Sequence, residues 1–160
     1  MKLRSCNRAL AAAGILGVLV STYALYVELS AEAKPGYKAL CDFSEAASCS
    51  RVLTSKYSKG FGILPKHSAL EIPNCIYGTL FYCLMILLAT FDHSAVVTLQ
   101  LLLALTSCAS SVYLAYLLAF VLKDFCIVCV STYFINALIS FLVYKKRQII
   151  KRSIEEKKSK

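Results

Sequence analysis

Apolar residues in this chain fall into long unbroken blocks separated by short polar breaks, with none of the alternation that marks a half-buried strand. Apolar blocks of about 18 or more residues can cross a hydrocarbon core roughly 30 Å thick as helices. Four candidates stand out: Ala9 to Val27, Cys75 to Phe91, Ala95 to Leu122 and Phe125 to Tyr144. The second is slightly short and the third rather long, so tilt and shifted ends are expected. The one sizeable polar piece, Glu28 to Pro73, lies between the first two blocks. The pattern therefore predicts an all-α membrane protein with a single integral domain over 1–160. It is a four-transmembrane-helix bundle with a cap over 28–73 and a basic tail over 145–160.

Composition agrees, with 58% hydrophobic and only 17% charged residues. Lys2, Arg4 and Arg8 precede the first block and Ala31-Glu32-Ala33 follows it, which mimics a secretory signal with its cleavage site. Its apolar run exceeds the usual 7–15 residues of such a signal, so an uncleaved first span is expected. Basic residues crowd both ends, including Lys145, Lys146, Arg147, Lys151 and Arg152. The positive-inside rule then puts both termini in the cytosol, which four spans permit. The segment 28–73 and the link Lys123-Asp124 fall on the opposite, lumenal side, with His67 there and His93 on the cytosolic side, too far apart to share a metal or a dyad.

The net charge of +9 is on this reading a topology signal. Attraction to anionic membrane lipid is expected of the tail, and no nucleic-acid role, because the charge run lacks interleaved aromatics on a folded surface. Lys157-Lys158-Ser159-Lys160 fits a dilysine pattern that returns membrane proteins to the endoplasmic reticulum. That lumen is a compartment where disulfides form and persist.

The eight cysteines sort by predicted depth. Cys83 and Cys108 lie mid-span, where a thiol acts as a small hydrophobe. Cys6 is a cytosolic bystander and Cys75 sits near the lumenal end of the second span. Cys41, Cys49, Cys126 and Cys129 gather on the lumenal side. Cys126-Ile127-Val128-Cys129 opens the fourth block, and a helix N-terminus stabilises thiolate through free N–H groups and the dipole. Cys41 and Cys49 can close a small exchangeable disulfide in the loop. Two dithiols on one side permit a relay in which a loop thiolate attacks the helical disulfide. Structural disulfides or a Cys₄ zinc site are the alternatives, the latter disfavoured because seven residues between Cys41 and Cys49 exceed the usual spacing.

A pocket follows from the same topology. Asn74 opens the second block, and Tyr77, Gly78 and Phe81 follow at i+3, i+4 and i+7 to form one stripe. Tyr133 continues the Cys126/Cys129 face one turn deeper. Asn74 and Tyr133 can hydrogen-bond two oxygens of a flat apolar molecule, with Cys129 between them. Taken singly, Asn74 reads as a helix cap and Tyr133 as an interfacial anchor. The absence of a Gly-rich phosphate loop argues against a nicotinamide or flavin site, so electrons are expected to arrive as thiols.

The motifs Leu40-Cys41-Asp42, Ser48-Cys49-Ser50-Arg51, Lys59-Gly60-Phe61-Gly62, Asn74-Cys75-Ile76-Tyr77-Gly78 with Phe81-Tyr82, and Asp124-Phe125-Cys126-Ile127-Val128-Cys129 with Thr132-Tyr133 run in order along the chain. Together they resemble the vitamin K epoxide reductase family. The resemblance implies thiol-dependent reduction of vitamin K epoxide to quinone and of quinone to hydroquinone. No tightly bound cofactor is implied beyond redox-active disulfides. Cys129 would engage the substrate, Cys126 would resolve it, and Cys49 would attack Cys126. Cys41 would pair with Cys49 and take electrons from a lumenal thioredoxin-like oxidoreductase. Asn74 and Tyr133 would hold substrate oxygens, Phe81 would pack on the ring, and Leu114 and Leu118 would supply wall. A functional link to gamma-glutamyl carboxylase follows, and Gly60 to Leu64 resembles a cap segment that dips into the membrane interface.

Vertebrate members usually carry Trp at Tyr57 and Phe at Tyr77, departures that bear on cap closure and on the response to coumarins. Two other classes remain: the same relay run in reverse as a quinone-linked oxidase of protein thiols, and a non-enzymatic four-span protein with structural disulfides.

Overall fold

The computed structural model describes residues 2–34, 36–43, 47–62 and 72–158, and every regular element among them is a helix. Helix α1 (Leu3–Ala33), the short α2 (Cys49–Leu53), α3 (Asn74–Ala89), α4 (Ser94–Tyr116) and α5 (Ile127–Lys158) follow in order. A 3₁₀ turn at Gly60–Gly62 precedes α3, and a π-helical turn at Leu117–Leu122 extends α4. Three helices are long and apolar enough to cross a membrane: α1, α4 with its extension, and α5. The chain is a membrane protein.

Helix ends differ from the hydropathy boundaries, because hydropathy marks what lipid can hold while chain-breaking residues mark where a helix must stop. α1 runs 31 residues, about 46 Å at 1.5 Å each, well past 9–27. It stops at Lys34, which precedes Pro35 and is extended at φ −129°, since the proline ring disfavours helix in the residue before it. α3 starts directly after Pro73 and has 16 residues, about 24 Å. α5 continues through the basic segment to Lys158, so 145–158 is helix and not a separate tail. Ser159 and Lys160 of the dilysine pattern lie outside the described residues.

α1 packs against α3 and α5, and α4 against α5, whereas α3 and α4 meet along only a short stretch. Close approach of α1 to α3 depends on missing side chains. A Cβ on Gly14 would come 2.5 Å from Ile86, and one on Gly17 would come 2.5 Å from the Tyr82 ring. Small residues allow such contact between helices in lipid. One buried cluster, from Cys6 and Leu10 to Met85, Ala104, Ile139 and Val143, fills the end of the bundle near the termini. A second, including Val27, Cys49, Leu53, Leu118, Cys126 and Val128, fills the loop end. Large apolar side chains such as Leu19, Leu80, Leu102, Phe134 and Phe141 point outward. Such a surface suits lipid, since no aqueous protein gains by exposing it.

Lys146 departs from the expectation of an exposed basic end. Its ammonium is fully buried and donates to the carbonyl oxygens of Ala89 at 3.0 Å and Phe91 at 2.8 Å. Asp92 pairs with it at 3.2 Å and also accepts from Asn7. The ammonium thus satisfies carbonyls left open at the end of α3. Lys146 and Asn7 together hold the Asp92 carboxyl below the ordinary carboxylate range despite partial burial.

Candidate functional site

Cys126 sits one residue before α5, and Cys129 lies in its first turn. The two form a disulfide with Cα atoms 5.3 Å apart. The Cys129 backbone N–H donates to Cys126 Sγ at 3.2 Å, so sulfur occupies the place that a capping oxygen takes at most helix starts. Cys126 is fully buried, whereas Cys129 is partly exposed and faces a cavity. The turn that delivers this pair leaves the π-helical end of α4 through Lys123, which is left-handed at φ 51°.

Cys41 and Cys49 form the other disulfide, with Cα atoms 5.8 Å apart. Asp42 organises the loop: it accepts from Ser50 Oγ at 2.6 Å, from the Ser50 and Ala39 amides, and from Ser48 Oγ. Partial burial opposes ionisation, but these donors outweigh it and bring the Asp42 pKa down to about 2. Cys41, Asp42 and Cys49 group three potential metal-ligand atoms within 4.8 Å. Both sulfurs are committed to the disulfide and the carboxylate to its donors, so this geometry favours a redox pair. Asp124 joins the two dithiol regions. It accepts from the Ser48 amide at 3.1 Å, pairs with Arg51 at 2.6 Å, and accepts from the Phe125 amide. Cys49 and Cys126 consequently lie in one buried cluster.

A cavity of about 320 Å³ opens within the bundle. Asn74, Tyr77, Phe81, Leu114, Leu118, Cys129 and Tyr133 all line it, drawn from α3, α4 and its extension, and α5. Its size and apolar walls with few polar groups match a small-molecule site. Cys41, Cys49 and Cys126 lie outside the lining. The free Cys6 is buried in the core, with its thiol 3.2 Å from the Leu142 carbonyl. Cys83 faces outward and Cys108 approaches Ser140 Oγ at 3.1 Å.

Asn74 is engaged with the polypeptide. Its amide nitrogen donates to the Tyr57 carbonyl at 2.7 Å, and its oxygen accepts from the Phe61 amide at 2.9 Å. Tyr113 OH donates to the Phe61 carbonyl at 3.3 Å. These bonds hold a strap, 57–62, in which Gly60, Phe61 and Gly62 all have positive φ. The Phe61 ring stacks on Tyr77 with centroids 5.8 Å apart. Asn74 therefore shapes the cavity roof, and each atom of its amide has a second hydrogen-bonding capacity that can be directed at a ligand. Tyr57 lines the roof. Ile63, Leu64 and His67 lie outside the described residues.

Sequence reasoning missed several wall residues. Asn136 accepts from Tyr82 OH at 2.9 Å and donates to Ser111 Oγ at 2.8 Å, giving the cavity a polar edge. Its position at i+7 from Cys129 and i+3 from Tyr133 was the available signal. Glu28 also lines the cavity, almost fully buried. An acid at the edge of an apolar span is a functional candidate by default.

Residues 8–144 match the family described as the vitamin K epoxide reductase family. The chain is 42% identical to a Rattus norvegicus protein named "Vitamin K epoxide reductase complex subunit 1" over 147 residues, covering 89% of this chain and 91% of that one. A Mus musculus protein of the same name is 43% identical over 136 residues, covering 82% and 84%.

Proposed function

The chain belongs to the vitamin K epoxide reductase family, and on that premise we propose that it reduces vitamin K epoxide to the quinone and the quinone to hydroquinone with electrons from thiols. The observation that carries this reading is the position of Cys129. It belongs to a disulfide at a helix start and at the same time lines an apolar cavity sized for a ring compound.

Cys129 acts as the thiol that meets substrate, and Cys126 as its resolving partner. Cys49, seated in the same cluster as Cys126 and tied to it through Asp124, passes electrons from the Cys41–Cys49 pair. A lumenal thioredoxin-like protein supplies that pair. Tyr133 and the spare capacity of Asn74 hold substrate oxygens, while Phe81, Tyr77, Leu114 and Leu118 pack on the ring. The chain spans an endoplasmic reticulum membrane four times, with α3 as the additional short span, residues 28–73 as a lumenal cap and both termini cytosolic. A 24 Å helix fits a thinned bilayer or a cap that dips toward it. The hydroquinone feeds gamma-glutamyl carboxylation.

Membranes containing the protein, supplied with dithiothreitol, should convert vitamin K epoxide and quinone, and Cys129→Ser should abolish both. Absence of turnover in the folded parent overturns the assignment. Oxidation of protein thiols at the expense of quinone, with no epoxide reduction, would point to the reverse relay.

A further inference from the structure

Glu28 has a place in the cavity that the thiol chemistry leaves unused. It is 1% exposed at the loop end of α1 and lines the same cavity as Cys129. One carboxyl oxygen accepts from Ser58 Oγ at 3.4 Å and the other from the Cys75 thiol at 3.4 Å. Both partners are neutral donors, and no ion pair to Glu28 occurs among the described residues. One helical turn toward the loops, Glu32 pairs with Lys59 at 2.8 Å, and both are substantially exposed. The charged groups facing Glu28 are thus Glu32 and Lys59, with the Cys75 thiol and Ser58 hydroxyl in direct contact. The nearest cation, Lys59, is paired with Glu32, so the buried Glu28 carboxyl has only neutral groups in direct contact and can hold and release a proton at the cavity wall. Ser58 is buried beside Glu28, and Glu32 stands one turn further along α1 at the exposed end of the helix.

We propose that Glu28 is the proton donor for epoxide and quinone reduction, recharged from the surface past Ser58 and Glu32. The inference rests on the vitamin K reading of the cavity. In epoxide reduction, the Cys129 thiolate forms a bond to an epoxide carbon, the C–O bond breaks, and the oxygen takes the Glu28 proton to become a hydroxyl. The Cys126 thiolate then attacks Cys129 Sγ. The C–S bond breaks, its electron pair forms the ring double bond, and hydroxide leaves. A second proton through the recharged Glu28 turns that hydroxide into water. The dithiol is oxidised by two electrons to the Cys126–Cys129 disulfide, and the epoxide is reduced by two electrons to the quinone. Quinone reduction uses the same two electrons and two protons, delivered to the two ring oxygens.

The test compares the parent and Glu28→Gln in membranes, with dithiothreitol as reductant and vitamin K epoxide as substrate. Glutamine keeps the shape and acceptor oxygen but holds no acidic proton. A general acid is worth roughly 10²–10⁴-fold, so kcat should fall by at least about 10²-fold with KM within twofold. The alkaline limb of the parent's kcat–pH profile should vanish in the variant. E28Q with parental kcat and profile overturns the proposal while leaving the activity assignment intact. A parent without turnover overturns the assignment itself. Cys75→Ala provides a reading that does not depend on the folding of E28Q. Removing a donor to the carboxylate should move the alkaline limb to higher pH, and an unmoved limb overturns the proposal.

Discussion

The two disulfides have similar reach, 5.8 Å and 5.3 Å between Cα atoms, yet different things hold them. Cys41–Cys49 is set in a polar loop whose geometry depends on one carboxylate, Asp42, and its four donors. Cys126–Cys129 is set by the first turn of a 32-residue helix, with one sulfur in the core and the other at a cavity. A loop pair can shift to meet a partner protein, while a helical pair is aimed. The contrast sets an adjustable loop pair against a fixed helical pair, and Asp124 bonds to the segments that carry both.

Removing the aimed sulfur should have the largest effect. Cys129→Ser should reduce turnover by more than about 10³-fold with any reductant, because the sulfur that bonds to substrate is gone and no adduct forms for Cys126 to resolve. Substituting Cys41 or Cys49 by Ser should reduce activity with a protein donor at least tenfold but change dithiothreitol-driven activity little; equal losses under both would erase the distinction between entry and chemistry. Asn74→Ala leaves the Phe61 amide and Tyr57 carbonyl without their partner, at a cost of about 1–3 kcal/mol. It should raise KM about tenfold or more as the roof loosens, measured with either reductant. Asp124→Asn removes the charge that Arg51 pairs with. Since Arg51 is 55% exposed, that pair contributes at most about 1 kcal/mol, and only the protein-driven rate should fall, by about fivefold.

The smallest effect concerns pH. Asp42 has its pKa lowered from 3.8 to about 2, so its stabilisation of the loop is fully present above about pH 4 and is lost as pH falls through 2. Hydrogen exchange at the Ala39 and Ser50 amides should stay slow down to that window in the parent. In Asp42→Asn it should be fast already at neutral pH, and equal protection in both would remove Asp42 from its organising role.

Much of this was legible in the sequence, because lipid makes hydropathy a strong constraint. Long apolar runs located α1, α4 and α5, and helical spacing placed Tyr77 and Phe81 on the stripe that meets the cavity. Helix ends were less legible, since Pro35 and Pro73 fix them independently of hydropathy. Partnerships across distant segments left no local mark. Asn74 reads as a cap from sequence but bonds across to Tyr57 and Phe61, and Asp124 looks like a link residue until Ser48 and Arg51 meet it. Lys146 was counted with a basic run because charge alone does not reveal a carbonyl partner fifty-seven positions away.

That lysine also sets an order of assembly. A ribosome makes α3 and its following turn well before it reaches Lys146, so the Ala89 and Phe91 carbonyls have no ammonium to receive until α5 has been synthesised and docked. The turn between α3 and α4 therefore lacks that partner until α5 is in place. A chain released before residue 146 should be recognised by quality control even though its spans and cysteines are all present.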